Sequence, residues 1–203
     1  MMALKTEAQP VQTPLLGRLF ADVDEEQRLV VLELGVAMPS FLAAFGPTRL
    51  RWDTLNLCEH QRVWMTLEDE EAKHDALFQH LSRFDLEPLD WICGWSYLNY
   101  LDPNLLSLLA QLLAPYLKPK TRWHALIEYS QPTMPSQAPE IFVDRLGDQV
   151  YLSVDGSSSH TPAPRYTPKR LENILNGLTA ESTMLLANGW QEYLFKPIPP
   201  TES

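Results

Sequence analysis

The chain is poor in cysteine, which limits the setting in which it is expected to fold. Cys58 and Cys93 are its two cysteines, and they lie far apart with no C-x-x-C arrangement. Neither has a basic neighbour in sequence that would activate a thiolate, so both are expected to be ordinary buried thiols. Residues 1–10 lack the apolar core of a signal peptide. We therefore expect a reducing, cytoplasmic setting.

Basic residues are also few, with 16 Lys and Arg against 26 Asp and Glu and a formal net charge of -10. Such a chain has little positive charge with which to neutralise phosphates, and no basic cluster interrupts the acidic background. Nucleic acid is therefore not an expected partner. A small molecule or a protein fits the charge better.

Long hydrophobic runs are absent as well. The most apolar stretch, residues 105–117, is interrupted by Ser107, Gln111 and Pro115 and is too short to cross a bilayer. We expect no membrane span. Hydrophobic residues make up 45% and charged residues 21% of the 203 residues, proportions typical of a globular chain with a substantial core. The length favours a single domain over residues 1–203.

Short apolar runs alternate with helical patterns, which predicts an α/β fold with a doubly wound, mostly parallel sheet. The first strand, Leu29–Leu34, is nearly all apolar, as expected for a strand buried on both faces. The patterns predict further strands at 49–53, 89–95 and 121–128, and helices at 39–46, 68–81, 104–117 and 167–176.

The C-terminal part of the chain predicts an antiparallel β-hairpin. Asn188-Gly189, the strongest two-residue hairpin signal, separates apolar segments at 183–187 and 190–195. Residues 130–165 are rich in Pro and Ser and predict an insertion or lid, with a hairpin at 141–145 and 149–154. Residues 1–16 are expected to form a loose leader and 198–203 a frayed tail.

The turn after the first strand is the expected ligand position. A strand that turns at Gly35 and enters a helix leaves backbone N–H groups and the positive end of the helix pointing at whatever lies above the sheet edge. Asp53 follows 18 positions later, at the predicted end of the second strand, where a carboxylate accepts hydrogen bonds from ribose hydroxyls.

These residues resemble the class I S-adenosylmethionine-dependent methyltransferases, which have a Rossmann-like sheet. Val31-Leu32-Glu33-Leu34-Gly35 resembles their first motif, Asp53 resembles their ribose acid, and residues 89–95 resemble their fourth strand. Residues 97–101, 113–119 and 124–127 and the terminal hairpin continue the likeness. The resemblance covers roughly residues 27–195, and the segment 130–165 has no counterpart that we can place.

The resemblance implies S-adenosylmethionine as cofactor, no metal, and a small-molecule or protein acceptor. Catalysis would then consist mainly of aligning the acceptor with the methyl carbon. The implied cofactor-binding residues are Glu33, Gly35, Val36, Ala37, Asp53, Thr54, Trp95 and Ser96. No catalytic residue is assigned; candidates for the acceptor side are Trp95, Ser96, Tyr97, Glu128 and Tyr129, with His160 or Tyr166 supplied by the insertion.

The turn itself departs from the family pattern. The family usually has G-x-G-x-G, whereas this chain has Ala37 at the second position and Pro39, which lacks a backbone N–H, at the third. Two hypotheses therefore remain open. The chain is a class I methyltransferase, or it is a catalytically inactive relative, a pseudoenzyme, that serves as a binding or scaffold module.

Three further patterns were weighed. The aromatic residues of segment 91–100 favour core packing over a wall that stacks on adenine. Residues 94–98 (GWSYL) resemble the esterase G-x-S-x-G, with His160 as base, but the last glycine is missing and the next helix begins too late. Glu71 and His74 have the spacing of a carboxylate metal site, yet no second pair accompanies them, so a surface ion pair is the better interpretation.

Overall fold

Eleven strands and five α-helices make up the part of the chain that the computed structural model describes, residues 9–24, 26–57, 66–67, 69–153 and 159–199. The helices are α1 (Pro14–Ala21), α2 (Pro39–Ala44), α3 (Glu70–Leu81), α4 (Pro103–Leu113) and α5 (Pro168–Ile174). The strands are β1 (Gln9–Gln12), β2 (Leu29–Leu34), β3 (Leu50–Leu55), β4 (Leu89–Cys93), β5 (Leu117–Glu128), β6 (Thr133–Pro135), β7 (Glu140–Val143), β8 (Gln149–Ser153), β9 (His160–Pro162), β10 (Leu178–Leu185) and β11 (Trp190–Pro197).

Six of the strands form the central sheet, in the order β10-β11-β5-β4-β2-β3. Strands β3, β2, β4 and β5 are parallel neighbours, and β11 lies antiparallel between β5 and β10. The turn between β10 and β11 contains Asn188 and Gly189. The mainly parallel α/β sheet and its C-terminal antiparallel hairpin are therefore confirmed.

Helices cover both faces of this sheet, each over its own hydrophobic core. On one face, α3, α4 and α5 bury Leu77, Leu106 and Leu171 against the sheet. On the other, α1 and α2 bury Leu16 and Phe41. We call these the α3–α5 face and the α1–α2 face. Strand β2 is buried along its whole length because it is central and has a core on each side.

The predicted loose leader is wrong for residues 9–16. Strand β1 pairs antiparallel with β8, and α1 begins at Pro14, a residue favourable at the first helical position. Leu15, Leu16 and Leu19 of α1 are all buried, since their spacing places them on one side of the helix. This segment is therefore part of the hydrophobic core.

In its described part, the insertion at residues 130–165 contains short strands. The predicted hairpin is present as β7 and β8, and β1 joins it in a three-stranded sheet of order β1-β8-β7. Strands β6 and β9 form a separate antiparallel pair. Residues 154–158, like the tail residues 200–203, lie outside the described part.

The predicted second strand ends too early. Strand β3 runs from Leu50 to Leu55, so Asp53 lies inside the strand and Asn56 follows its carboxyl end. The predicted helix at 104–117, by contrast, ends too late. Helix α4 ends at Leu113, and a short 3-10 turn (Ala114–Tyr116) containing Pro115 follows it.

No helix in the described ranges combines the length and the apolar character that a membrane crossing requires.

Candidate functional site

A cavity of about 670 Å³ lies between the turn after β2 and the insertion. One wall is residues 36–40, which include the start of α2. The opposite wall is residues 136–142, which include most of β7, and Tyr97 and Tyr100 complete the lining. Most of its lining area is apolar, as is usual for sites that take small molecules. The full lining is Val36, Ala37, Met38, Pro39, Ser40, Tyr97, Tyr100, Ser136, Gln137, Ala138, Pro139, Glu140, Ile141 and Phe142.

Gly35 forms the predicted turn, directly beside this cavity. Its φ of +133° is a conformation that side-chain-bearing residues rarely adopt. Its N–H donates to the carbonyl of Leu55 at 2.8 Å, which ties the turn to the end of β3. The strand-to-turn geometry expected from the sequence is therefore present.

The ring of Tyr97 occupies the space above Gly35. A Cβ atom placed on Gly35 would lie 1.9 Å from Cε2 of Tyr97, so the ring packs against the bare glycine backbone. The Tyr97 hydroxyl accepts a hydrogen bond from the Val36 N–H at 3.3 Å. Tyr97 is buried, and its ring covers the Gly35 backbone on that side.

Gly35→Ala is expected to destabilise the fold more than Gly177→Ala does. Gly177 also has a positive φ, +92°, but a Cβ there meets no heavy atom within 4 Å. Both variants bear the backbone strain, and only Gly35→Ala must also displace the Tyr97 ring, at a further cost of about 1 to 3 kcal/mol. Chemical denaturation of the two variants measures this difference. Equal losses of stability would show that Tyr97 does not pack on Gly35.

Glu33 lies beneath the same turn and is completely buried. Its carboxylate accepts hydrogen bonds from the indole N–H groups of Trp52 and Trp95, each at 3.0 Å, and from the backbone N–H of Met38 at 3.3 Å. Burial raises the pKa of Glu33 to about 7, although the three hydrogen bonds partly oppose that rise. Glu33 therefore holds the turn from below and does not line the cavity.

Trp95 and Ser96 are buried in the α1–α2 core instead of facing a ligand. Trp95 has a φ of +46° and no exposed surface, and its ring packs edge-on against Phe41 at 5.0 Å. Ser96 is also fully buried, so its hydroxyl is not accessible as an esterase nucleophile. His160 is exposed and pairs with Pro135 in the β6–β9 ladder.

Asp53 and Thr54, the other predicted ligand residues, do not line the cavity either. The Asp53 carboxylate accepts from Nε of Arg51 at 3.0 Å, and Arg51 also pairs with Glu87, which lies near the start of β4. This network holds Asp53 on the α3–α5 face. Thr54 is half-buried on β3, opposite Glu33 in the parallel register.

Of the eight predicted cofactor residues, the structure therefore brings Val36 and Ala37 to the cavity lining. Tyr97 and Tyr100 also line the cavity, although sequence reasoning favoured core packing over an aromatic wall for them, and the wall formed by residues 136–142 was missed. The hairpin pattern located β7 correctly, but it contained no signal of which element β7 would face. Contacts across more than a hundred residues, such as the 3.1 Å bond from the Val143 N–H to the Ser40 hydroxyl, set that arrangement.

The remaining candidates lie elsewhere. Glu128 is buried and accepts from the Gln131 N–H, and Tyr166 is buried in the α3–α5 core. Tyr129 is 38% exposed, outside the cavity lining.

The other patterns lie on the surface or in the core. His74 stacks on Phe78 on the surface of α3, one turn from Glu71. Cys93 is a buried free thiol whose pKa is raised by burial, and Cys58 lies outside the described residues.

Solved structures with the same architecture include a methyltransferase. A 1,6-didemethyltoxoflavin-N1-methyltransferase from Burkholderia thailandensis, solved with bound 1,6-didemethyltoxoflavin and S-adenosylhomocysteine, has a TM-score of 0.50 and 13% identity to this chain. The match covers 91% of this chain and 75% of that one. The chain has a methyltransferase-like fold. The PH0226 protein of Pyrococcus horikoshii OT3 is similar as well, with a TM-score of 0.51, 14% identity, and coverage of 91% and 88%.

Similarity is confined to the fold, since no protein-family model and no curated protein sequence matches the chain. Within this methyltransferase-like fold, the residues do not fit S-adenosylmethionine in the arrangement that the resemblance implies. Tyr97 fills the space over Gly35 and engages the Val36 N–H, Pro39 offers no N–H, and Asp53 is paired with Arg51.

Proposed function

We propose that this chain is a methyltransferase-like binding protein, a single domain that takes a small apolar molecule in the cavity beside the Gly35 turn and transfers no methyl group. The observation that carries the proposal is the Tyr97 ring over Gly35, where a Cβ would lie 1.9 Å from the ring. A glycine is needed at this position to admit the ring of the chain's own tyrosine, and the ring takes the place expected for a cofactor.

The hydrogen bonds around the turn support the same proposal. Glu33, Trp95 and Asp53 each have partners within the protein, so the polar groups implied for cofactor binding are already used. The cavity, by contrast, is apolar and about 670 Å³, within the range of small-molecule sites. Among the described residues of its lining, the charged one is Glu140, which disfavours anionic ligands.

An active S-adenosylmethionine-dependent methyltransferase is the second candidate. It is favoured by the fold shared with a methyltransferase solved with S-adenosylhomocysteine, and by a cavity that borders the glycine turn. In this case the acceptor would be a small molecule or a protein. Tyr97 would then have to leave Gly35 before the cofactor could bind, because both need the same space.

Calorimetric titration with S-adenosylmethionine and S-adenosylhomocysteine separates the two candidates. We expect neither compound to bind the wild-type protein at a ligand concentration of about 1 mM. Tyr97→Ala removes the ring and is expected to bind S-adenosylhomocysteine at least about tenfold more tightly than wild type. Tyr97→Phe is the matched control, since it keeps the ring and loses the bond to Val36, and it should behave as wild type.

Micromolar binding by the wild-type protein would overturn the binding-protein proposal and support the enzyme. In that case Asp53→Ala is the next variant. An unchanged affinity would then remove Asp53 from the cofactor site, as expected from its bond to Arg51.

A further inference from the structure

One edge of strand β7 faces the cavity and is not used by the sheet. Strand β7 is the outer strand of the β1-β8-β7 sheet, so only one of its two edges pairs with β8. In an antiparallel pair, alternate residues direct both their N–H and their C=O toward the partner strand, and the residues between them direct both groups away. The register therefore determines which backbone groups of β7 point outward.

The hydrogen bonds of β7 and the residue after it determine this register. The Asp144 N–H donates to the carbonyl of Gln149, which places Asp144, and with it Phe142 and Glu140, on the edge that pairs with β8. The Val143 N–H points the other way and donates to the Ser40 hydroxyl on α2 at 3.1 Å. Ile141, two residues before Val143, therefore directs its N–H and C=O to the same outward edge.

Ile141 is one of the residues that line the cavity. Its side chain is buried in the α1–α2 core, so what it presents at the outward edge is its peptide N–H and C=O. No residue in the described ranges bonds to either group across this edge. Tyr97, Tyr100 and Phe142 add aromatic rings to the same lining. The N–H donor and the C=O acceptor of Ile141 are thus surrounded by apolar and aromatic side chains.

We infer that the cavity binds a flat, uncharged aromatic molecule with a cis-amide (lactam) edge. Facing residues of two antiparallel strands exchange two hydrogen bonds, and the adjacent N–H and C=O of a lactam reproduce that exchange with Ile141. The fused ring of such a ligand then lies among the tyrosine and phenylalanine rings, which favour offset or edge-on contacts. This inference rests on the proposed function, because it names the ligand class of the same cavity.

The test is a comparison of three probes by calorimetry: 2-quinolone, 1-methyl-2-quinolone and quinoline. The first has the lactam edge, the second has lost its donor, and the third has the aromatic rings without the amide. We expect 2-quinolone to bind wild-type protein at least about tenfold more tightly than the other two, since each would leave a buried backbone group of Ile141 unpaired. In NMR spectra, the Ile141 amide proton should shift downfield when 2-quinolone binds, because the lactam carbonyl accepts from it.

Two variants locate the contact. Ile141→Pro removes the outward N–H without removing a ladder bond to β8. Because the lactam carbonyl then loses its donor, this variant is expected to bind 2-quinolone at least about tenfold more weakly than wild type. Ile141→Val keeps the N–H and should keep the wild-type affinity for 2-quinolone. If Ile141→Pro fails to fold by circular dichroism, the comparison of 2-quinolone with its N-methyl form in wild-type protein still decides the question.

The outcomes separate this inference from the proposal beneath it. Equal affinity of wild-type protein for all three probes would overturn the lactam inference and leave an aromatic-binding cavity in place. No binding of any probe, together with micromolar binding of S-adenosylmethionine, would overturn both. An affinity for 2-quinolone that is unchanged in Ile141→Pro would place the amide contact elsewhere and overturn the inference.

Discussion

Glu192→Ala is expected to lower the free energy of unfolding by about 3 to 5 kcal/mol. Glu192 lies on β11 and is completely buried. Its carboxylate accepts hydrogen bonds from the backbone N–H groups of Leu15 at 3.0 Å and Leu16 at 2.9 Å, in the first turn of α1. It also bonds to Nε2 of the buried His124 at 2.9 Å. Alanine would leave three buried donors without an acceptor.

The effect should be concentrated at α1, since Glu192 satisfies N–H groups that no residue within the helix can reach. Urea denaturation gives the change in stability, and hydrogen exchange should show faster exchange at Leu15 and Leu16. Glu181→Ala, on the neighbouring strand β10, is the matched control. Glu181 forms half-exposed ion pairs with Arg122 and Lys196, so its loss should cost about 1 kcal/mol or less. A loss below about 1 kcal/mol for Glu192→Ala would contradict the assignment.

The second large effect is a dependence of stability on pH that comes from Glu33. Burial raises its pKa in the folded protein to about 7, above the ordinary value of 4.5. The folded protein therefore holds this proton over a pH range in which the unfolded chain has released it. The contribution of Glu33 to stability is complete below pH 4.5 and is lost as the pH rises through 7, a change of about 3 kcal/mol.

Glu33→Gln is expected to remove this contribution, because glutamine does not titrate. It should also destabilise the protein by about 1 to 3 kcal/mol at low pH. The NH₂ group of glutamine would replace one carboxyl oxygen, and this donor would then face either the Trp95 N–H or the N–H groups of Trp52 and Met38. Urea denaturation of both proteins from pH 4.5 to 8 measures the two slopes. Glu26→Gln, at an exposed site, is the control and should keep the wild-type slope. Parallel curves for wild type and Glu33→Gln would contradict the raised pKa.

The central sheet was predictable because its signals are local. The apolar run of Leu29–Leu34 can be buried only as a central strand, and Asn188-Gly189 specifies a two-residue hairpin through its own backbone preferences. Pro14 and Leu15, Leu16 and Leu19 contained an equally local helix signal. The polar residues before them obscured it, and the leader prediction failed there.

The candidate site was less predictable, because side-chain pairings within the folded protein decide what each predicted residue faces. Asp53 was expected to accept from a ligand, but Arg51, two residues before it, accounts for its hydrogen bond and joins it to Glu87. Trp95 was expected near a cofactor, but Glu33, 62 residues away, holds it in the core. Neither pairing has a signature in spacing or composition.

The sequence by itself determined the main strands of the central sheet, its C-terminal hairpin and the position of the Gly35 turn, since these follow from short apolar runs and from residues with strong backbone preferences. Only the tertiary structure decided what the turn faces. It placed Tyr97 over Gly35 and β7 across the cavity from α2. These contacts join segments about 60 and 100 residues apart, and their geometry exists only once the sheet has brought the segments together.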